Sequence, residues 1–374
     1  MSNKSAIVVG AGIVGLATAR ALAFKGYTVS VFERSDHAVG ASIRNFGLIL
    51  PFAQPNGALY ERAMQSRSIW KEISQAANFS HDPAGSMFVA YEAIEWQVLQ
   101  EVFEIYGKSR TLRFIRPEEV LTYSPAINSK GLLGGLFSPD ELIVDPREAI
   151  ATIPSYLESV NQVRFYWNRA VQSVASGKIV SNGKEFEADL VFVCTGAEFE
   201  SLYPELYSTL PITKCRLQMM RTAVQPGNWR IGPALCGGLS LIHYKSFSFA
   251  PSIDALKHFY EETMGSYTDR GIHVMVTQNA QGELTIGDSH QYGHTFDPFE
   301  EAETNELILK YLKGFASFRN MSIVQNWSGV YSKMTNGDTE IFQSPEPGVF
   351  ILNALGGAGM TLSFGLAEEV VNSL

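Results

Sequence analysis

One stretch constrains this chain more than any other: AIVVGAGIVGLATARALAFKGYTVSVFER, residues 6–34. Residues 6–9 are a short β-branched run, which reads as a strand. Gly10, Gly12 and Gly15 follow as G-x-G-x-x-G, and the Ala- and Leu-rich residues 16–24 read as a helix closed by Gly26. Residues 28–32 form the next strand, and Glu33 closes it 18 residues after Gly15. Each part has a physical task. Gly10 allows the tight turn, Gly12 lets a pyrophosphate approach the backbone, and Gly15 lets helix and strand pack closely. The helix start, at Ile13 and Val14, offers free N–H groups and the positive end of its dipole to phosphates. Glu33 accepts hydrogen bonds from ribose hydroxyls and repels a 2′-phosphate, which disfavours an NADP-type ligand. Strand, turn, helix and acid in this order predict a dinucleotide site, for FAD or NAD.

Three later features favour FAD. GASIRNFGLILP, residues 40–51, is an irregular polar segment where an NAD-type unit would enter a second crossover helix. FEADLVFVCTGAE, residues 186–198, is a strand ending in Thr195-Gly196. The C-terminal GVFILNALGGAGMTLSFGLAEEVVNSL has a strand, a glycine turn (Gly356, Gly357, Gly359) and a helix. That second helix N-terminus is available to a flavin carbonyl that gains negative charge on reduction.

The 374 residues are 45% hydrophobic, enough for two domains. The formal charge of −9 argues against a nucleic-acid partner, because phosphate affinity comes from Lys and Arg. The cysteines, Cys194, Cys215 and Cys236, are odd in number and lack C-x-x-C spacing, so buried reduced thiols are expected. No apolar run is long enough to span a membrane, and the first strand begins too early for a signal peptide. A cytoplasmic location with no membrane partner is expected. His290 and His294 have i,i+4 spacing, but the intervening Gly293 and the preceding strand argue against a helical metal pair, so no metal is expected.

Residues 58–77 and EWQVLQEVFEIYGK have helical spacing. Between 212 and 287 helix signals are scarce. RLQMMRTAV, LSLIHYKSF and IHVMVTQNAQGELTIGDSH read as strands, with a hairpin at Asn279-Ala280-Gln281-Gly282. The expected fold is α/β: a Rossmann-like FAD-binding domain (1–85, 140–212 and 326–374) with an inserted mixed or antiparallel β-sheet substrate domain (86–139 and 213–325).

VVGAGIVG, VFVCTGAE and LGGAGMTLSFGLA together resemble the D-amino-acid oxidase superfamily of FAD-dependent amine oxidoreductases, nearly end to end. More narrowly, ASIRNFGLILPFAQPNG, TKCRLQMMRT and GGAGMTLSFG resemble a bacterial subfamily associated with aminophosphonate breakdown. The resemblance implies that Ser42, Arg44, Asn45, Gly47 and Leu48 lie along FAD, with Asn45 and Phe46 also near substrate. It extends the cofactor site to Arg34, Val171, Met360 and Thr361, beside Thr195, Gly196 and the two glycine turns. It also implies the reaction: an amine gives hydride to flavin N5, the imine hydrolyses, and oxygen or another acceptor takes the electrons. No protein nucleophile is required.

Two departures bear on the substrate. Relatives carry an Arg in W-x-G-x-R that pairs with a carboxylate, whereas WSGVYSK has Tyr331 there. Sarcosine oxidases carry a Lys near the C-terminal glycine loop, where Thr361 stands here. Without these anchors a different anion is expected, held by some of Arg221, His243, Tyr244, Tyr331 and Lys333. His243 and Tyr244 are read as alternating in a strand, with one facing the pocket. WSGVYSKMTNG also lacks the Cys that binds FAD covalently in sarcosine oxidases, so noncovalent FAD is implied. The expected activity is oxidation of 2-aminoethylphosphonate or its N-methyl derivative. The alternative is an amino-acid oxidase or dehydrogenase for glycine, sarcosine or a D-amino acid, and the second rival is a flavin-bound sensor without turnover.

Overall fold

A computed structural model describes residues 4–161 and 163–374. The strand Ser5–Val9, the helix Ile13–Phe24 and the strand Thr28–Phe32 follow the reading of residues 6–34 almost residue for residue. The two strands pair in parallel, as a right-handed strand–helix–strand unit requires. They sit in a six-stranded sheet with the order Ile341–Glu346, Val349–Asn353, Leu190–Val193, Ser5–Val9, Thr28–Phe32, Arg164–Tyr166. All its pairs are parallel except the first. Both faces are covered, so the strands are buried apolar runs rather than alternating ones.

On one face the helix Ile13–Phe24 packs against the C-terminal helix Gly359–Asn372, which also packs on Ala58–Ala76. Gly365 sets that last approach, since a Cβ there would lie 2.4 Å from the Arg62 carbonyl oxygen. Trp70 is fully buried, edge-on to Phe79 and Phe364, and donates from Nε1 to the Met360 carbonyl at 2.7 Å. Truncating such an indole costs about 3–5 kcal/mol.

The second large sheet has nine strands and is mixed. Its long members, Ile212–Thr222 and Ile323–Met334, pair antiparallel over nearly their whole length. Ser86–Ala90 and Ala234–Cys236 supply its parallel pair. The hairpin expected at 279–282 joins Met275–Gln278 to Leu284–Gly287. The boundaries expected at 212/213 and 325/326 fall inside or at the edge of the two long strands, which belong whole to this sheet.

Two readings between 212 and 287 are corrected. LSLIHYKSF is not a strand: it forms parts of two 3-10 turns, Gly238–Ile242 and Lys245–Phe249. A helix, Ile253–Thr263, also stands in the region, with Ile253, Leu256 and Tyr260 buried on one face. That spacing lies in a mainly polar stretch, which hides it from a reading by apolar content. Cys194, Cys215 and Cys236 are free and buried. Among the described residues no helix is long and apolar enough to cross a membrane.

Candidate active site

The site begins where the first strand ends. Gly10 has φ +103°, and a Cβ on it would meet the Cys194 carbonyl oxygen at 2.5 Å. A Cβ on Gly15 would lie 1.9 Å from the Gly10 carbonyl oxygen, so both glycines are demanded by the turn itself. Gly12, Gly357 and Gly359 differ. Their φ values are ordinary, and a Cβ would meet nothing nearer than 3.1 Å (Ser42 Oγ), 3.5 Å (Tyr331 Oη) and 3.7 Å (Ile13 Cγ2). The protein's own packing leaves room for a side chain at Gly357 and Gly359, and at Gly12 only where Ser42 Oγ gives way. They border one open cradle, with the N-terminal turn on one side and the C-terminal turn on the other.

The polar groups of this cradle suit a dinucleotide. The Ile13 N–H, at the start of its helix, donates to Ser42 Oγ at 2.9 Å. Glu33 accepts the Ala11 and Ser35 N–H groups, one on each carboxylate oxygen, both at 3.0 Å. Those bonds fix the carboxylate at the strand end and leave a lone pair on each oxygen for a hydroxyl. Gly196 presents its φ +63° turn on the same side of the sheet, with no atom within 4 Å of its Cβ position. Asn353, missed in the sequence, ties this turn to the last strand: it donates to the Gly196 carbonyl at 3.0 Å and accepts from Ser332 Oγ and the Ala354 N–H. Val14 and Val171 are half-buried beside the sheet, and Arg34 is exposed. These residues fit FAD: two helix N-termini for charge, a fixed carboxylate for ribose, and side-chain-free backbone between them.

The segment 41–50 divides its tasks. Gly47 has φ +67°, and a Cβ there would lie 1.9 Å from the Val144 carbonyl oxygen. Leu48, Ile49 and Leu50 are buried, as the apolar run implied. Arg44 is exposed and donates to the Ser328 carbonyl at 3.1 Å. Asn45 departs from its expected role. Its amide donates to the Ala41 and Ser42 carbonyls and accepts the Gly47 N–H, so the side chain holds the turn. Phe46 is buried beneath the large sheet, near Gly287, and its carbonyl accepts from Thr277. Thr361 is buried and its Oγ1 accepts the Leu50 N–H at 3.0 Å, while the Met360 side chain is in the core.

The large sheet faces this cradle. Cys215 stands opposite Tyr331 on one side and Tyr292 on the other, which puts the three side chains in a row on one face. Lys333 continues the row: its Nζ lies 3.3 Å from the Tyr292 hydroxyl and 3.6 Å separates its Cγ from the Gly356 Cβ position. From the 3-10 turns His243 reaches the same place, with its ring 3.9 Å from that of His273 and 4.6 Å from that of His290. His243 is exposed while His273 and His290 are buried, so the three form a recess whose open edge is His243. The neighbouring Tyr244 hydroxyl donates to Met275 Sδ at 2.9 Å.

Four of the five candidates for the substrate anion therefore converge: His243, Tyr244, Tyr331 and Lys333. Arg221 does not. It stands six residues from Cys215 along an extended strand, roughly 20 Å away. Its guanidinium is buried against Asp145 at 3.4 Å and Glu283 at 3.3 Å. His290 and His294, whose spacing is read as not making a metal pair, stand on different neighbours. His290 joins His243 and His273, whereas His294 stands against Phe199.

Burial sets the charge of the recess. It pushes the His243 and His273 imidazoles well below the usual range, and proximity to other imidazoles adds to the effect. His290 is pushed down to about 4, by burial first. Burial also raises Asp288 well above the usual carboxylate range, and Tyr331 and Tyr244 above theirs. The imidazoles are neutral at neutral pH, and the ammonium of Lys333 brings positive charge to their edge.

A family model for FAD dependent oxidoreductases matches residues 5–373. The fold is similar to that of glycine oxidase from Geobacillus kaustophilus, with a TM-score of 0.77, 18% identity, and coverage of 100% of this chain and 95% of that one. It is also similar to L-proline dehydrogenase from P. horikoshii, with a TM-score of 0.78, 20% identity and coverage of 99% and 92%. In sequence the chain is 24% identical over 253 residues to the tRNA 5-methylaminomethyl-2-thiouridine biosynthesis bifunctional protein MnmC of Ectopseudomonas mendocina. That match takes in 62% of this chain and only 35% of the relative's length. With the cradle and its carboxylate in place, the family match leads to one conclusion: the chain belongs to the FAD-dependent oxidoreductases.

Proposed function

We propose that the protein oxidises a small amine whose far end is a tetrahedral oxyanion, with 2-aminoethylphosphonate or its N-methyl derivative as the favoured substrate. The observation that carries this reading is the row Tyr292, Tyr331 and Lys333 beside His243, where relatives by resemblance present a guanidinium. A planar carboxylate is best held by the two parallel donors of an Arg fork. Separate single donors, from two strands and a turn, instead suit oxygens that point in different directions. Lys333 supplies the charge, and the Tyr331 hydroxyl is 3.5 Å from the Cβ position of Gly357, at the edge of the cofactor cradle.

FAD, when bound, accepts the hydride from the carbon bearing the amine and passes the electrons on to oxygen or another acceptor. The chain's residues do the rest. Gly12, Ser42, Glu33 and Gly359 hold the cofactor without covalent attachment. The sheet face places the amine end against the cradle. The apolar neighbours Leu217 and Met219, both buried, limit water there. We assign residues 1–85, 140–212 and 326–374 to the cofactor side and the remainder to the substrate side, except that the strand Ile323–Met334, with Tyr331 and Lys333, and the strand Ile212–Thr222 lie whole on the substrate face.

The reading is tested anaerobically, by following loss of flavin colour. N-methyl-2-aminoethylphosphonate and 2-aminoethylphosphonate should bleach the protein faster than sarcosine, glycine or D-amino acids. Faster bleaching by the amino acids would reject the oxyanion assignment, and no bleaching by any amine would favour a protein without turnover.

A further inference from the structure

Three imidazoles on separate elements meet in the recess. His243 comes from a 3-10 turn, His273 precedes the strand Met275–Gln278, and His290 follows Leu284–Gly287. Nitrogens of all three lie within 4.8 Å of one another. Three neutral imidazoles are the donor set that holds a divalent transition ion such as Zn²⁺ or Co²⁺.

The outer contacts suit that task. The Nδ1 of His290 lies 2.9 Å from the Gly271 carbonyl oxygen, which requires the proton on Nδ1 and leaves an Nε2 lone pair. The Nε2 of His273 lies 3.1 Å from Asp288 Oδ1, the carboxylate contact that typically orients a metal-bound imidazole, which leaves Nδ1 for an ion in place of its long 3.4 Å contact with Ser240 Oγ. Neither ring nitrogen of His243 has a hydrogen-bond partner among the described residues. Asp288 Oδ1 is itself buried and has no well-aligned donor. The contact with His273 is thus close but unaligned, and the imidazole has freedom to turn.

We propose that His243, His273 and His290 form a binding site for one divalent transition-metal ion, with Asp288 orienting His273. The rings are near-parallel, His273 and His290 at 14° with centroids 5.1 Å apart and His243 and His273 at 28° and 3.9 Å, so their in-plane lone pairs converge on one ion only once the rings turn about their Cβ–Cγ bonds. The fourth coordination position opens on the recess through His243. There the ion would offer the substrate oxyanion the charge that a guanidinium supplies elsewhere. Lys333, at the same edge, opposes the ion by repulsion. The role toward substrate rests on the proposed function; the binding of the ion does not.

The test uses the flavin-saturated protein, stripped with a chelator and dialysed against Co²⁺. One Co²⁺ per chain is expected, with visible bands of imidazole-bound Co²⁺ at longer wavelength than the flavin's. Those bands should disappear in His290→Ala and in His243→Asn. The second change removes a side chain without hydrogen bonds, so it leaves the fold intact. Asp288→Asn should weaken Co²⁺ binding by about tenfold. Flavin retained without stoichiometric Co²⁺, or equal Co²⁺ in wild type and His243→Asn, overturns the metal site while leaving the amine-oxidation reading standing. Co²⁺ bound in a protein that retains no flavin supports the metal site and rejects that reading.

Discussion

Ile13 and Gly359 meet, although they stand near opposite ends of the chain: a side chain at Gly359 would come to 3.7 Å from Ile13 Cγ2. The contact brings the first residues of two helices together, one after each glycine turn. Two partial positive charges thus face one cradle. The sheet order makes this possible, because the strands before the turns, Ser5–Val9 and Val349–Asn353, are separated only by Leu190–Val193.

Tyr331 decides the anion in this account. Tyr331→Arg should restore a fork for a planar carboxylate and raise kcat/KM for sarcosine relative to the aminophosphonate by about tenfold or more. Tyr331→Phe removes only the hydroxyl and should cost about 1 kcal/mol of aminophosphonate binding, with flavin content unchanged. Steady-state kinetics of the three proteins on both substrates checks this. An Arg variant with unaltered preference would place the anion elsewhere.

Arg221 serves the fold. It joins Asp145, before the helix Pro146–Asn161, to Glu283 and Thr285 on the hairpin. Arg221→Met leaves Asp145 and Glu283 facing each other and should lower stability by about 3–5 kcal/mol. Denaturant unfolding measures the loss, and KM of the folded fraction should not change. Unaltered stability with a raised KM would return Arg221 to the substrate site.

Glu141 gives a pH signature in the core of the large sheet. It is fully buried, accepts from the Phe52 N–H, Ser86 Oγ and Ser138 Oγ, and burial pushes its carboxyl up to about 7. Below the usual carboxylate range both folded and unfolded chains are protonated there, so no difference arises. As pH rises from that range to about 7, only the unfolded chain ionises, and the folded state loses stability; above about 7 the loss is constant. Glu141→Gln should therefore be stabilising at pH 8 relative to pH 4, by about 3 kcal/mol. Unfolding curves at the two pH values test it, and an equal effect at both would contradict the assignment.

The cofactor side was legible because its chemistry is local. Glycine spacing, strand, helix and acid all fall within residues 6–34, and each element formed where its residues predicted. The substrate side depends on contacts across the chain. Periodicity weighs His290 only against His294, and rejects that pair, because it sees only neighbours; His243 and His273 come beside it by tertiary packing. The hairpin register does not find the cluster either: continued outward from Met275 and Gly287 it sets His273 opposite Ser289, whereas the backbones pair His273 with Asp288, one residue off that register. His243 was misassigned for a different reason. LSLIHYKSF has strand-like apolar content but folds as 3-10 turns, buried through Leu239, Leu241 and Phe247. Asn45 and Arg221 show the reverse error, since polar residues near a site were satisfied by the protein itself.

The convergence of the two glycine turns on one FAD is tested most directly by fluorescence titration of FAD with the apoprotein and its Gly12→Ala and Gly359→Ala variants. Gly359 has room for a methyl within the protein, so loss there falls on what occupies the cradle, whereas a methyl at Gly12 must also move Ser42 Oγ, 3.1 Å away, by a few tenths of an ångström. Each substitution should weaken FAD binding by about tenfold or more, or about 1.4 kcal/mol, without lowering thermal stability of the apoprotein. Undiminished FAD affinity in Gly359→Ala, with Gly12→Ala impaired, would show that the C-terminal turn takes no part in holding the cofactor.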